Sequence, residues 1–171
     1  MNKLFQAMLA ALLLTTVLFA GSASSASAKE PKEPKILEFD TMVGVPSGLT
    51  GPQSLAPLRG INGGGVPWTL TSAKGELKAS GRLEITVQGL VLATTGSNPS
   101  ANFQGLVSCV KSDGSFERIL TGPFPATTGP ASSGGGNAKI EADLTLPQPC
   151  IAPIIFVTNS AGTSWFAATG N

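Results

Sequence analysis

The chain has 171 residues, of which only 12% are charged, and its formal net charge is +1. A charge so close to zero gives no electrostatic basis for binding nucleic acid or an anionic membrane. The absence of histidine excludes a Ser-His-Asp triad, a Cys-His pair and any His metal site, and it removes the commonest general base. We therefore expect no catalytic residue, no metal and no cofactor.

The N-terminus has the three parts of a secretory signal peptide. Lys3 supplies a positive start, residues 4–20 are almost wholly apolar, and small residues follow up to Ala28. The last three of these fit the A-x-A rule, so we predict a cleavable signal helix over residues 1–28, with cleavage between Ala28 and Lys29. The alternative is an uncleaved membrane anchor, because the apolar run is near the lower limit for spanning a bilayer. Cleavage implies a secreted protein, extracellular or in the periplasm or cell envelope, with no stable membrane anchor.

The rest of the chain divides into a short linker and one domain. Residues 29–35 are charged and punctuated by proline, which predicts a flexible linker. Residues 36–171 have the size of a single domain. The sequence contains 21 Gly and 13 Pro, with Val, Ile, Leu and Thr scattered among them. This composition is typical of short strands joined by turns.

Strand candidates follow one another along the domain. The clearest is 82–88, where Leu83, Ile85 and Val87 alternate with polar residues, as in a half-buried strand. No amphipathic helix of useful length is found. We predict an all-β fold, an antiparallel β-sandwich of about eight or nine strands, with a β-barrel as the alternative. The candidate strands are 36–40, 66–71, 75–79, 82–88 continuing into 89–93, 103–110, 116–120, 138–146, 151–157 and 165–168.

Two Gly- and Pro-rich segments, 41–65 and 122–137, are predicted to be long loops. Long structured loops often carry function, so 41–65 is the first place where we expect a site. The alternative is that this loop packs on the sheet through its apolar residues, which are Val45, Leu49, Leu55 and Ile61.

The two cysteines, Cys109 and Cys150, are predicted to form one disulfide, because an even pair in an exported protein is most simply a bridge. The bridge would close a loop of about 40 residues, which stabilises a fold chiefly by restricting the unfolded chain. The alternative is two separate thiols.

Three residues are candidates for facing a ligand: Asn62, Trp68 and Trp165. The two indoles could form a platform on which a sugar stacks. The interpretation that we favour instead places both in or at the edge of the core. In this second case neither indole contributes to a site.

Charged residues on the predicted strands suggest two further possibilities. Glu38 and Asp40 lie two apart, so both face the same side of a strand, where paired carboxylates could run acid–base chemistry as in glycosidases. The alternative is a solvated strand face. A second set of charges on the wet face could form cross-strand ion pairs of small individual value; these are Arg82, Glu84, Lys139, Glu141 and Asp143.

Three stretches, 59–68, 75–84 and 149–157, resemble a group of small secreted bacterial proteins of unassigned function. That resemblance implies export and a compact single domain, and it carries over no catalytic residue. The strand pair Gly75-x-Leu77 and Gly81-x-Leu83-x-Ile85 also resembles the CHRD β-domain.

These observations predict an exported, non-catalytic β-sandwich that acts as a binding or structural module. We expect its partner to be an extracellular protein or a polysaccharide. One alternative is a small secreted hydrolase that uses carboxylates such as Glu38 and Asp40. Another is a secreted protease inhibitor that presents the 41–65 or the 122–137 loop to its target.

Overall fold

Alternation of apolar and polar residues builds a set of short strands. The computed structural model describes residues 32–46 and 57–170. The strands in these ranges are β1 (Lys35–Phe39), β2 (Val43–Gly44), β3 (Asn62–Gly63), β4 (Trp68–Thr69), β5 (Ser72–Lys78), β6 (Arg82–Gln88), β7 (Val91–Leu92), β8 (Ser97–Asn98), β9 (Asn102–Val110), β10 (Phe116–Pro125), β11 (Gly129–Pro130), β12 (Ala138–Asp143), β13 (Ile151–Thr158) and β14 (Ser164–Ala168). A 3-10 turn at Ala131–Ser133 is the only helix within them, and none is long and apolar enough to cross a membrane.

The strands form two main sheets. Sheet A has the order β1-β5-β6-β12, and sheet B has the order β10-β9-β13-β14-β2, with β3 added parallel to β14. Two small ladders, β4 with β7 and β8 with β11, complete the described part. Eight strands have five residues or more and six have two. The predicted antiparallel β-sandwich is confirmed, and the sheets are not closed into a barrel.

Much of the core lies between the two sheets. Leu83, Ile85 and Val87 are buried on the inner face of β6, as their alternation predicts. Opposite them, Gly105 of β9 lets the sheets approach closely, since a Cβ there would lie 3.2 Å from Ile140 Cγ2 and 3.4 Å from Ile85 Cδ1. Burial of each large aliphatic side chain contributes about 1.5–3 kcal/mol to folding.

The predicted disulfide is present. Cys109 on β9 is bonded to Cys150, which immediately precedes β13, and their Cα atoms are 4.9 Å apart. The next residues, Val110 and Ile151, are register partners in sheet B. The bridge therefore fixes the segment that crosses from sheet A to sheet B at the point where it enters β13.

The start of the domain differs slightly from the predicted boundary. Strand β1 begins at Lys35, which the sequence analysis placed in the flexible linker. The two residues before it also contact the domain, because the amide of Ala79 donates to Pro34 O (2.9 Å) and that of Ser80 donates to Glu33 Oε1 (2.8 Å). The signal helix and the cleavage site between Ala28 and Lys29 lie outside the described residues.

The prediction of a long loop over 122–137 is wrong in its first part. Strand β10 extends to Pro125, and Gly129–Pro130 pairs with β8. The buried side chain of Asn98 fastens this region, because its Nδ2 donates to Ser100 O and to Thr127 O, both at 2.8 Å. Glycine and proline obscured the strands in the sequence, while long-range pairing supplies the hydrogen bonds that hold them.

Candidate functional site

The described parts of the 41–65 segment pack on sheet B. Val45 and Ile61 are buried, which agrees with the packed-loop interpretation. Strands β2 and β3 both pair with β14. Leu49 and Leu55 lie outside the described residues.

The two tryptophans do not form a sugar-stacking platform. Trp68 and Trp165 are each only 5% exposed, and both belong to the core. Trp68 stacks on Phe166 with ring centroids 3.9 Å apart, which covers one face of the indole. Asn62 is exposed on β3, and its proposed role in facing a ligand stays a prediction.

The outer face of sheet A carries a row of glutamates. Each strand contributes one residue: Glu38 pairs in register with Glu76, Glu76 with Glu84, and Glu84 with Glu141. Like charges directly opposite one another destabilise a sheet unless cations lie between them. The row therefore requires compensating charge from its neighbours.

Four cations supply that charge. Lys35 Nζ lies 2.6 Å from Glu38 Oε1 and 2.5 Å from Glu76 Oε2, so it bridges the first two strands. Arg82 contacts Glu84 along β6 at 3.3 Å and reaches across to Glu141 at 3.8 Å. The remaining pairs are Lys78–Glu76, Arg82–Asp143 and Lys139–Glu141. The cross-strand ion pairs predicted for β6 and β12 are confirmed for Arg82 with Glu141 and Asp143.

Two of these contacts lower the pKa of a glutamate in the row. The hydrogen bond from Lys35 lowers the pKa of Glu76, and the hydrogen bond from Lys139 lowers the pKa of Glu141. Lowered pKa values keep both carboxylates ionised well below neutral pH. A general acid needs the opposite shift, toward the working pH.

A shallow groove of about 670 Å³ runs beside the glutamate row. It brings together Glu38 and Asp40, the pair that the sequence analysis considered for acid–base chemistry. Further carboxylates and cations share the groove, which the sequence analysis did not foresee; its charged lining is Glu38, Asp40, Lys74, Glu76, Glu84 and Lys139. In the described part of the chain no cluster of three or more His, Cys, Asp or Glu side chains is placed to hold a metal ion.

Sequence reasoning missed Glu76 and the alignment of the row. Glu76 lies in a segment whose Gly75 and Ala79 weaken the alternating pattern, and the alignment depends on the register of four strands that are distant in the chain. The presence of one glutamate on each of the four candidate strands 36–40, 75–79, 82–88 and 138–146 was the available signal.

Comparison with known proteins adds no relative. No protein-family model, no curated protein sequence and no solved structure matches this chain. The likeness to small secreted bacterial proteins and to the CHRD β-domain stays an expectation from the sequence.

Proposed function

We propose that the chain is an exported, non-catalytic β-sandwich that acts as a binding or structural module in the extracellular or envelope space. The disulfide between Cys109 and Cys150 supports export, since such bonds persist in oxidising compartments. The signal-peptide pattern that ends at Ala28 supports it independently.

The proposal that the protein is non-catalytic rests on the neutralisation of the glutamate row. All four glutamates lie within salt-bridge distance of a lysine or an arginine. Acid–base catalysis by two carboxyls instead needs environments that push their pKa values apart, with one raised. Paired charges of this kind serve the solubility of an exposed sheet face and protect it against unwanted pairing.

The groove supports a second candidate, a hydrolase that uses carboxylates. Asp40 lines the groove beside Glu38, and it is in none of the ion pairs formed by the described residues. A free carboxylate next to a second one could act on a bound substrate. The protease-inhibitor alternative gains no specific support from the described loops.

A turnover screen separates the first two candidates. The exported protein is incubated with fluorogenic glycosides, esters and peptides, and we expect no turnover. Turnover that disappears in Asp40→Asn while the far-UV circular dichroism is unchanged would overturn the proposal and support the hydrolase. Asp143→Asn is the matched control, because Asp143 is a carboxylate of the same sheet that does not line the groove.

A further inference from the structure

The outer face of sheet B exposes three large apolar side chains. Phe116 and Leu120 on β10 are 52% and 44% exposed, and Ile151 on β13 is 47% exposed. Phe116 and Ile151 are the register partners of Val110 on either side, so they lie in one row across β10, β9 and β13. Clustered exposed apolar side chains mark interaction sites more often than single ones do.

Two arginines frame these side chains. Arg118 projects between Phe116 and Leu120 on the same face of β10, because side chains two apart on a strand face the same way. The guanidinium of Arg59 lies over the Phe116 ring, 4.9 Å from its centroid. We call Arg59, Phe116, Arg118, Leu120 and Ile151 the apolar–arginine patch.

The charge of the patch is not neutralised by the described residues. Arg59 Nη2 donates to Ala152 O and Arg118 Nη2 donates to Arg59 O, both at 2.9 Å. Neither guanidinium forms a salt bridge with a carboxylate of the described chain. This contrasts with sheet A, where Arg82 contacts three carboxylates.

The backbone around the patch is held in an uncommon conformation. Arg59 and Ala152 are the two non-glycine residues with positive φ in the described chain, at 52° and 43°, and they are hydrogen-bonded to each other. Gly60 permits the contact between the arginines, since a Cβ there would lie 2.6 Å from Arg118 Nη2. Backbone strain of this kind persists where surrounding structure imposes it, often at binding sites.

The segment beside the patch is also constrained, by a disulfide and by two prolines. Ile151 follows the disulfide-bonded Cys150 and is flanked by Pro149 and Pro153. A surface fixed before binding loses little conformational entropy when a partner docks. The patch therefore has the composition of an interface centre, where aromatic and arginine side chains are enriched.

We propose that the apolar–arginine patch docks an acidic, apolar segment of a protein partner, with a carboxylate on Arg118 and an apolar side chain between Phe116 and Ile151. The proposal rests on the proposed function as a binding module, and it names the partner. Charge complementarity selects a carboxylate, which matches the planar fork of a guanidinium. The aliphatic side chains of Leu120 and Ile151 favour a polypeptide over a hydrated polysaccharide.

Other occupants fit the patch less well. An anionic membrane requires a cluster of several cations, whereas this patch has two. A second copy of the chain would have to offer carboxylates, and the glutamates of its sheet A already contact lysine or arginine, which leaves carboxylates such as Asp40 of the groove. These occupants are distinguished in the test below.

The test is a titration of the ¹⁵N-labelled exported protein with two peptides, followed by NMR. The probes are N-acetyl-Asp-Leu-Phe-Asp-Leu-amide and its counterpart with lysine in place of aspartate. We expect the acidic peptide to shift the amides of 116–120 and 151–152 and to bind at least about tenfold more tightly than the basic one, since a charge-assisted contact is worth about 1.5–3 kcal/mol. Equal effects of both peptides, shifts elsewhere, or no shift at millimolar peptide would overturn the proposal.

Matched variants assign the binding to the patch. Arg118→Gln is expected to weaken the acidic peptide about tenfold, whereas Lys74→Gln, which removes a cation from the opposite sheet, leaves its affinity unchanged. Phe116→Ala should likewise weaken binding of the acidic peptide, whereas Val66→Ala, which truncates another exposed apolar side chain, should leave its affinity unchanged. Equal losses in the paired variants would overturn the proposal.

Two further outcomes would also overturn it in favour of another occupant. One is cosedimentation with vesicles of phosphatidylcholine and phosphatidylglycerol that is lost in Arg118→Gln. The other is dimerisation of the protein that the same variant abolishes. A failed peptide titration leaves the non-catalytic proposal standing, because the turnover screen alone decides that.

Discussion

Removal of the disulfide is the perturbation whose effect follows most directly from the structure. Cys109 and Cys150 are separated by 41 residues in the chain. In the chain-entropy account, opening a loop of this length lowers the free energy of unfolding by about 4 kcal/mol. For a domain of this size, the same loss lowers the melting temperature by about 10–15 °C.

The assay is urea unfolding of the double variant Cys109→Ala/Cys150→Ala beside the parent protein. With a slope of about 2 kcal/mol/M, the midpoint should fall by about 2 M urea. The parent protein measured in reductant isolates the contribution of loop closure to the free energy of unfolding, because it loses the bond but retains both sulfur atoms. Reductant should leave the double variant unchanged.

The result that would refute this reasoning is a loss below about 1 kcal/mol in the reduced parent protein. An unfolded chain that is already compact without the bond would give that outcome. A double variant much less stable than the reduced parent would instead assign the effect to packing around the buried Cys109.

Three further predictions concern glycine geometry, pH and the core. Gly81→Ala should lower the free energy of unfolding by more than about 3 kcal/mol, because φ is 96° and a Cβ would lie 1.8 Å from a backbone oxygen; Gly114→Ala, with φ of 80° and open space, should cost only about 1–2 kcal/mol by urea unfolding. The hydrogen bond from Lys35 lowers the pKa of Glu76 on folding, so the stability that this bond contributes is present above the ordinary pKa of 4.5 and is lost as the pH falls below it. Lys35→Gln should therefore reduce the dependence of the free energy of unfolding on pH in this acid range, and an unchanged dependence would contradict this. Trp68→Ala should cost about 3–5 kcal/mol and Trp68→Phe under about 2 kcal/mol, because the buried indole nitrogen has no hydrogen-bond partner among the described residues and phenylalanine keeps the ring stack; equal losses in the two variants, measured by urea unfolding, would argue against the stack.

The sequence could predict which side chains of a strand face inward and which face outward, because burial follows a period of two along a strand. Leu83, Ile85 and Val87 point inward in the structure, and Arg82 and Glu84 point outward, as their alternation indicates. The disulfide could be predicted as well, since two cysteines allow only one pairing. These features depend on local pattern or on composition alone.

Apart from the ion pairs of Arg82 with Glu141 and Asp143, features that depend on register could not be predicted. The four glutamates form a row only because β1, β5, β6 and β12 pair in one particular alignment. The contact of Arg59 with Ala152 joins residues that are 93 positions apart. Neither Arg59 nor Arg118 has a sequence neighbour that would identify it as part of a binding surface. The short strands around glycine and proline were missed because their pairing partners are also distant.

The measurement that tests the account most directly is the intact mass of the protein after export. The chain is produced with its own leader in a bacterial host and recovered from the medium or the periplasm, and its mass is measured after alkylation with and without reductant. We predict the mass of residues 29–171 less two hydrogens, with alkylation at Cys109 and Cys150 only after reduction. An uncleaved chain in the membrane fraction, or two thiols that react without reductant, would contradict an exported, disulfide-bonded domain.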